Sequence, residues 1–134
     1  MTSRPGGIEI SRSYGDPAGL ALTGKLETGT VLMLAGAVSS MLSAWPPPQV
    51  LILDLTKLSF LAAAGVRFLH TATNHAIIEG TAIRIVTADN PAVTIPLRVA
   101  GLHRVLDTYP DCATALAAGA PAEFLDCAAT MWNT

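Results

Sequence analysis

The stretch Gln49–Leu55, QVLILDL, constrains this chain more than any other. A continuous apolar run closed by Asp54 offers no polar side to water. It reads as a central strand buried on both faces, which requires helices packed above and below it. Pro46, Pro47 and Pro48 stand just before it. Proline neither continues a helix nor sits inside a sheet, so one element ends there and the next begins. The buried-looking strand ends at Phe60 and Leu61.

The flanking sequence supplies the helices and partner strands. Ile8 to Tyr14 alternates apolar and polar residues as a half-buried strand does. Asp16, Pro17 and Gly19 make a turn, and Leu20 to Thr23 reads as a second strand, giving a hairpin. Thr30 is placed to cap a helix running to about Ala44, with Val31, Leu34, Val38 and Leu42 on one face. Gly65 to Glu79 reads as a second helix stopped at Gly80. AIRIV is a further strand. Asn90 as cap and Pro91 at the first position open a third helix that ends near Gly101. RVLDTY reads as a last strand, and Pro110 to Ala118 as a last helix. Residues 120–134 form a tail whose Phe124, Leu125 and Trp132 can pack back on the domain.

The order is β-β-α-β-α-β-α-β-α. It implies a single α/β domain of residues 1–134, with a core at about 8–118. The sheet is mixed but mostly parallel, with about five strands, about four helices and right-handed crossovers. At 134 residues, half of them hydrophobic, the chain can bury a real core without staples. Net charge is −2, and its eight basic residues are scattered, with no stripe for nucleic acid. The N-terminus, MTSRPGGIEI, predicts neither a signal peptide nor a membrane span.

Candidate chemistry is sparse. Cys112 and Cys127 are the cysteines, without a CxxC; they read as reduced thiols in a cytoplasmic protein or, more sharply, as a redox-sensing pair. GLALTGK, Gly19–Lys25, has phosphate-loop spacing, but its middle reads as strand and Leu26 stands where a magnesium-binding hydroxyl belongs. His70 and His75 are five apart, about 140° around a helix, so they cannot chelate one metal together. His103 lies in a loop. No metal site, cofactor site or catalytic constellation is expected. Asp54 is the one carboxylate at a suggestive place, the carboxyl end of a parallel strand, where ligands bind in such sheets. Without an acid–base partner, its expected role is to accept hydrogen bonds from nearby loop amides.

Three segments in order, LALTGKLETGTV, VLILDLTKLSFLAAAGVRFLHTA and DNPAVTIPLRVAGLHRVLDTYPDCATAL, resemble a STAS domain, the fold of bacterial anti-sigma factor antagonists. The likeness runs from about residue 8 to 118. The family's G-E-L-D-x-x-T reads Gly24-Lys25-Leu26-Glu27-Thr28-Gly29-Thr30 here. Its D-L-S-x-V-x-F-x-D-S-S-G-L reads Asp54 to Val66, and its G-L-x-x-V-F is similar to GLHRVLDTY. In the family, the serine of the D-S sequence is phosphorylated by a kinase that is also an anti-sigma factor. Here Ala63 falls on that serine and Ala62 on the aspartate.

The resemblance therefore implies a non-enzymatic regulator of transcription that has lost its phosphate acceptor. The implied partner face comprises Glu27, the loop Leu61, Ala62, Ala63, Ala64 and Gly65, and the helix residues Arg67, His70, Thr71 and Asn74. Helix spacing puts Arg67, His70, Thr71, Asn74 and Ile78 outward, and Val66, Leu69, Thr73 and Ala76 inward. The implied partner is an anti-sigma factor of the serine-kinase type or another regulatory protein, with no nucleic acid or membrane. Homodimerisation stays open. So do a ligand or redox sensor using Cys112 and Cys127, and a scaffold subunit of a STAS assembly.

Overall fold

The computed structural model describes residues 7–118. Nine elements follow one another: β1 (Ile8–Ser13), β2 (Ala18–Leu26), α1 (Val31–Leu42), β3 (Val50–Leu61), α2 (Ala63–Ile78), β4 (Ala82–Val86), α3 (Pro91–Val99), β5 (Thr108–Tyr109) and α4 (Cys112–Ala117). The strands lie side by side in chain order. β1 and β2 form the expected antiparallel hairpin, and β2 to β5 run parallel. The α/β class, the mixed sheet and the element order expected from the sequence are those observed.

The helices divide unevenly between the two faces. Leu34, Ala37, Val38 and Met41 of α1, Val66, Leu69, Ala72 and Ala76 of α2, and Val93 and Leu97 of α3 join Leu20, Leu22, Leu51, Leu53, Leu55, Ile83 and Ile85 in one large core. The other face holds a smaller cluster, Val50, Ile52, Val86 and Ala115, covered by α4 with Tyr109. Val50 to Leu53 are thus buried whichever way they point, as the apolar run predicts. Ala72 turns inward on α2, whereas Thr73 is only half-buried and donates its hydroxyl to the Leu69 carbonyl at 2.8 Å.

Arg84 stands in the middle of AIRIV, pointing to the α4 face, and is 3% exposed. A buried guanidinium needs partners. One is the Ala115 carbonyl of α4, 2.7 Å from Nη1, and its charge faces the Tyr109 ring and Asp107. Arg84 therefore fastens α4 to the sheet from below.

One strand and the place of one residue depart from expectation. β3 runs to Leu61, where the buried-looking strand is expected to end, so the close of its apolar run at Asp54 is not its carboxyl end. Its register with β2 slips between Ala21 and Thr23 and again between Gly24 and Lys25, each slip inserting one extra β3 residue. Asp54 is therefore a mid-strand residue, placed where pairing with β4 ends at Val86. The expected RVLDTY strand shrinks to Thr108–Tyr109, because Val105 and Leu106 both donate backbone hydrogen bonds to Leu102 and turn the chain. The tail residues Phe124, Leu125, Cys127 and Trp132 lie outside the described residues.

Candidate functional site

β2 and β3 finish in register, Leu26 beside Leu61, so the chain leaves both strands at one end of the sheet. The Ala62 N–H donates to the Leu26 carbonyl at 2.9 Å and ties the two exits together. Thr30 is fully buried beneath them. Its hydroxyl accepts from the Glu27 N–H at 3.0 Å and donates to the Lys25 carbonyl at 2.8 Å. Thr30 stands at the expected cap position of α1, yet its side chain makes no capping bond to that helix. It holds the Glu27 turn closed, which leaves Glu27 half-buried beside the α2 entrance.

Ala62 takes the cap position of α2 with extended backbone, φ −83 and ψ 168, and offers no side-chain oxygen. Ala63 is the first helical residue and is exposed; Ala62 and Ala64 are half-buried. The three alanines are thus partly accessible at the helix start. Gly65 is buried, and a Cβ there would lie 2.7 Å from Leu61 Cδ1 and 2.9 Å from Leu26 Cγ. Glycine is what lets α2 press against the ends of β2 and β3.

Of the face expected from the sequence, Ala63, Arg67, Thr71 and Asn74 are exposed, and Glu27, Ala62, Ala64 and His70 are half-buried. Leu61 and Gly65 lie beneath this surface, Leu61 only 3% exposed. They shape it from inside. The apolar side chain presented at this end is Phe60, 47% exposed, which the sequence reading did not single out. The cause is the second extra residue in β3. It breaks the alternation and lets Leu58 and Leu61 both face the core. Ser59, the hydroxyl nearest the alanines in sequence, donates to the Gly24 carbonyl at 2.9 Å.

Asn90 has a second task that its position as helix cap did not reveal. Its side-chain oxygen accepts from the Ala92 N–H at 3.1 Å, as a cap does. Its amide nitrogen lies 2.7 Å from the Leu58 carbonyl, 3.1 Å from that of Thr56 and 3.2 Å from that of Leu55. Beyond Asp54, β3 has lost β4 as its neighbour, and the Asn90 amide supplies donors in place of that strand.

On the opposite face, Asp54 accepts from the Thr56 N–H at 3.0 Å and from the Thr56 hydroxyl. This is the hydrogen-bonding role expected of it, met inside the irregular part of β3. Its second oxygen lies 3.6 Å from the Cys112 Sγ. Burial, then the negative charge of Asp54 and a hydrogen bond to it, push the Cys112 thiol up. A raised thiol pKa leaves a smaller share as the reactive thiolate. Its expected partner Cys127 is outside the described residues. Among the described residues, no helix is long and apolar enough to cross a membrane.

The STAS domain family model matches residues 11–115. The chain therefore belongs to the STAS domain family. Among solved structures, it is similar to an anti-sigma factor antagonist from Mycobacterium paratuberculosis at 24% identity and a TM-score of 0.75, covering 87% of this chain and 97% of that one. The anti-sigma factor antagonist SpoIIAA in its unphosphorylated form aligns at 14% identity and a TM-score of 0.64, over 81% and 92%. The STAS domain of a SulP transporter from Vibrio cholerae aligns at 26% identity and a TM-score of 0.55, over 65% and 70%. No match is found among curated proteins. The fold is thus the one that anti-sigma factor antagonists carry.

Proposed function

We propose that this chain is a non-enzymatic STAS regulator of transcription in the bacterial cytoplasm, an anti-sigma factor antagonist that is not phosphorylated at the usual position. It binds its partner through Ala62, Ala63 and Ala64, the outward side of α2 at Arg67, His70, Thr71 and Asn74, and the Glu27 turn. Leu61 and Gly65 support that surface from beneath. The partner is an anti-sigma factor of the serine-kinase type.

The observation that carries this reading is Ala63, exposed as the first residue of α2 with a methyl group for a side chain. Phosphoserine there would bring about −1.5 to −2 of charge to the surface. Alanine preserves the size of an unmodified serine to within one oxygen and cannot receive that charge. Binding then continues whatever the kinase does, and its control lies elsewhere. The fold similarity to two anti-sigma factor antagonists supports the class.

The test pairs the wild type with an Ala62→Asp, Ala63→Ser double variant. Each is incubated with the serine-kinase anti-sigma factor of the same organism and ATP, then followed by intact mass and pull-down. Wild type is expected to stay unmodified and bound, and the double variant to gain one phosphate and be released. Phosphate on wild-type residues 59–65, Ser59 included, would overturn the unmodified reading. Capture of no kinase-type partner by either protein would overturn the partner assignment.

A further inference from the structure

α1 joins β2 to β3 and α2 joins β3 to β4. Those three strands are parallel. Each helix therefore returns the chain in the same sense, and the two C-termini fall at one end of the pair. Between α1 and α2 lies an open cavity of about 320 Å³, at the small end of the range of small-molecule sites, roughly 300–1,000 Å³. Ala35 and Ser39 of α1 and Ala72 of α2 line it. Side chains this small leave the groove between the helices unfilled. Val38 and Ala72 are buried in its wall, and Leu42 and Phe68 are half-buried there, so its floor is apolar.

We infer that this cavity binds a small organic ammonium, a cation carried on an apolar body. Charge selects that occupant. Ser43, the C-cap of α1, and Glu79, the C-cap of α2, both line the cavity. A helix C-terminus carries roughly half a negative charge, ordinarily answered by Lys, Arg or His in the last turn. α1 has no basic residue in its last turn, and α2 has only His75. Glu79 instead adds a carboxylate to one of the two ends. Among the described residues that line the cavity, none is Lys or Arg. Two helix C-termini and a carboxylate thus converge on one spot, which attracts a cation and repels an anion.

The lining also sets the orientation. Phe68, Ala72, His75 and Glu79 follow one side of α2 at spacings of three and four. Phe68 to Glu79 is about 16 Å along the axis, at roughly 1.5 Å per residue. The ammonium sits at the Glu79 end, and the apolar body lies along Leu42, Val38 and Ala72 towards Phe68. The Ser43 hydroxyl donates to the Ser39 carbonyl at 2.9 Å, which leaves its oxygen to accept from an ammonium N–H. Thr71 belongs both to the cavity and to the outward face of α2. An occupant would therefore touch the proposed partner surface and give it an input other than phosphate. That consequence rests on the partner reading above; the binding itself does not.

Titration of the full, 15N-labelled chain with tryptamine, followed by amide chemical shifts, tests the inference. Indole-3-ethanol and indole-3-acetate serve as the neutral and anionic counterparts of the same shape. Tryptamine is expected to move the amides of residues 39–43 and 71–79, and to bind at least tenfold more tightly than the acetate. Glu79→Gln, at an exposed position, should remove the advantage of tryptamine over the alcohol, a loss of at least threefold. Ser39→Leu fills the groove from α1 and should weaken both ligands about tenfold. Should that variant fold poorly, Glu79→Gln carries the test. No amide shifts at millimolar tryptamine, shifts centred elsewhere, acetate binding as tight as tryptamine, or indifference to Glu79→Gln would each overturn the inference. None of these readouts involves a partner protein, so such a failure would leave the partner assignment standing.

Discussion

The starts of α2 and α3 are two solutions to one problem. Each helix follows a parallel strand of the same sheet and begins after a short turn. At α3, Asn90 caps the helix and also donates to β3 carbonyls with its amide. At α2, Ala62 occupies the same position and does neither. The polar residue locks the fold where β3 has lost a neighbour. The small apolar ones leave a neutral, low-relief surface where the sheet ends. Helix starts favour Asn, Asp, Ser or Thr at the cap by about 0.5–2 kcal/mol over alanine. That preference is met at α3 and declined at α2.

The sharpest way to break the contrast is Asn90→Ala. It removes the cap, worth about 0.5–2 kcal/mol, and leaves part-buried β3 carbonyls short of a donor, at about 1–3 kcal/mol. Urea unfolding is expected to show a total loss of about 1.5–5 kcal/mol. Asn90→Asp separates the two tasks, since the carboxylate retains the capping oxygen but cannot donate. Its cost should approach that of alanine if the β3 contacts dominate. A loss under about 0.5 kcal/mol for Asn90→Ala, less than a cap alone contributes, would mean that α3 is held without it.

Gly65→Ala comes next in size. In an exposed helix interior, alanine is favoured over glycine by about 1 kcal/mol. At this position the added methyl lies 2.7 Å from Leu61 Cδ1 and 2.9 Å from Leu26 Cγ. The first contact is the free end of a side chain and can swing away. The second is a branch point, so Leu26 itself must shift. Overpacking of this kind costs about 1–3 kcal/mol, and the net effect is expected to be destabilising. A stabilised Gly65→Ala protein would show that α2 does not need its close approach to the strand ends.

Much of this contrast was legible in the residue order. QVLILDL announced a strand buried on both faces, and Asn90-Pro91 a helix start, because each signal is local. The second role of Asn90 was not visible, since it depends on where β4 stops pairing with β3. Phe60 and Leu61 exchanged their expected importance for a similar reason. Two extra residues in β3 change which side chains face the core, and a period-of-two pattern cannot show them. Arg84 looked like one more strand residue until α4 closed over it with a carbonyl. That relatives carry a phosphorylated serine where Ala63 stands came from the family resemblance alone.

The smallest predicted effect bears most directly on why the alanines are there. Ala62→Asp places a carboxylate at the cap of α2, within reach of the N–H groups of Ala64 or Gly65. It should stabilise the domain by about 0.5–2 kcal/mol at neutral pH. An aspartate favoured in its charged form has a lower pKa folded than unfolded, so the gain holds above about pH 4 and disappears as the carboxylate protonates. Thermal or urea unfolding at neutral and acidic pH reads both. If the gain appears, α2 as it stands forgoes stability that a single side chain would supply, and selection at this surface is for shape and neutrality rather than for holding the helix. If it does not, the helix start is already satisfied without a cap. The contrast between α2 and α3 then reduces to the β3 carbonyls that only Asn90 can reach.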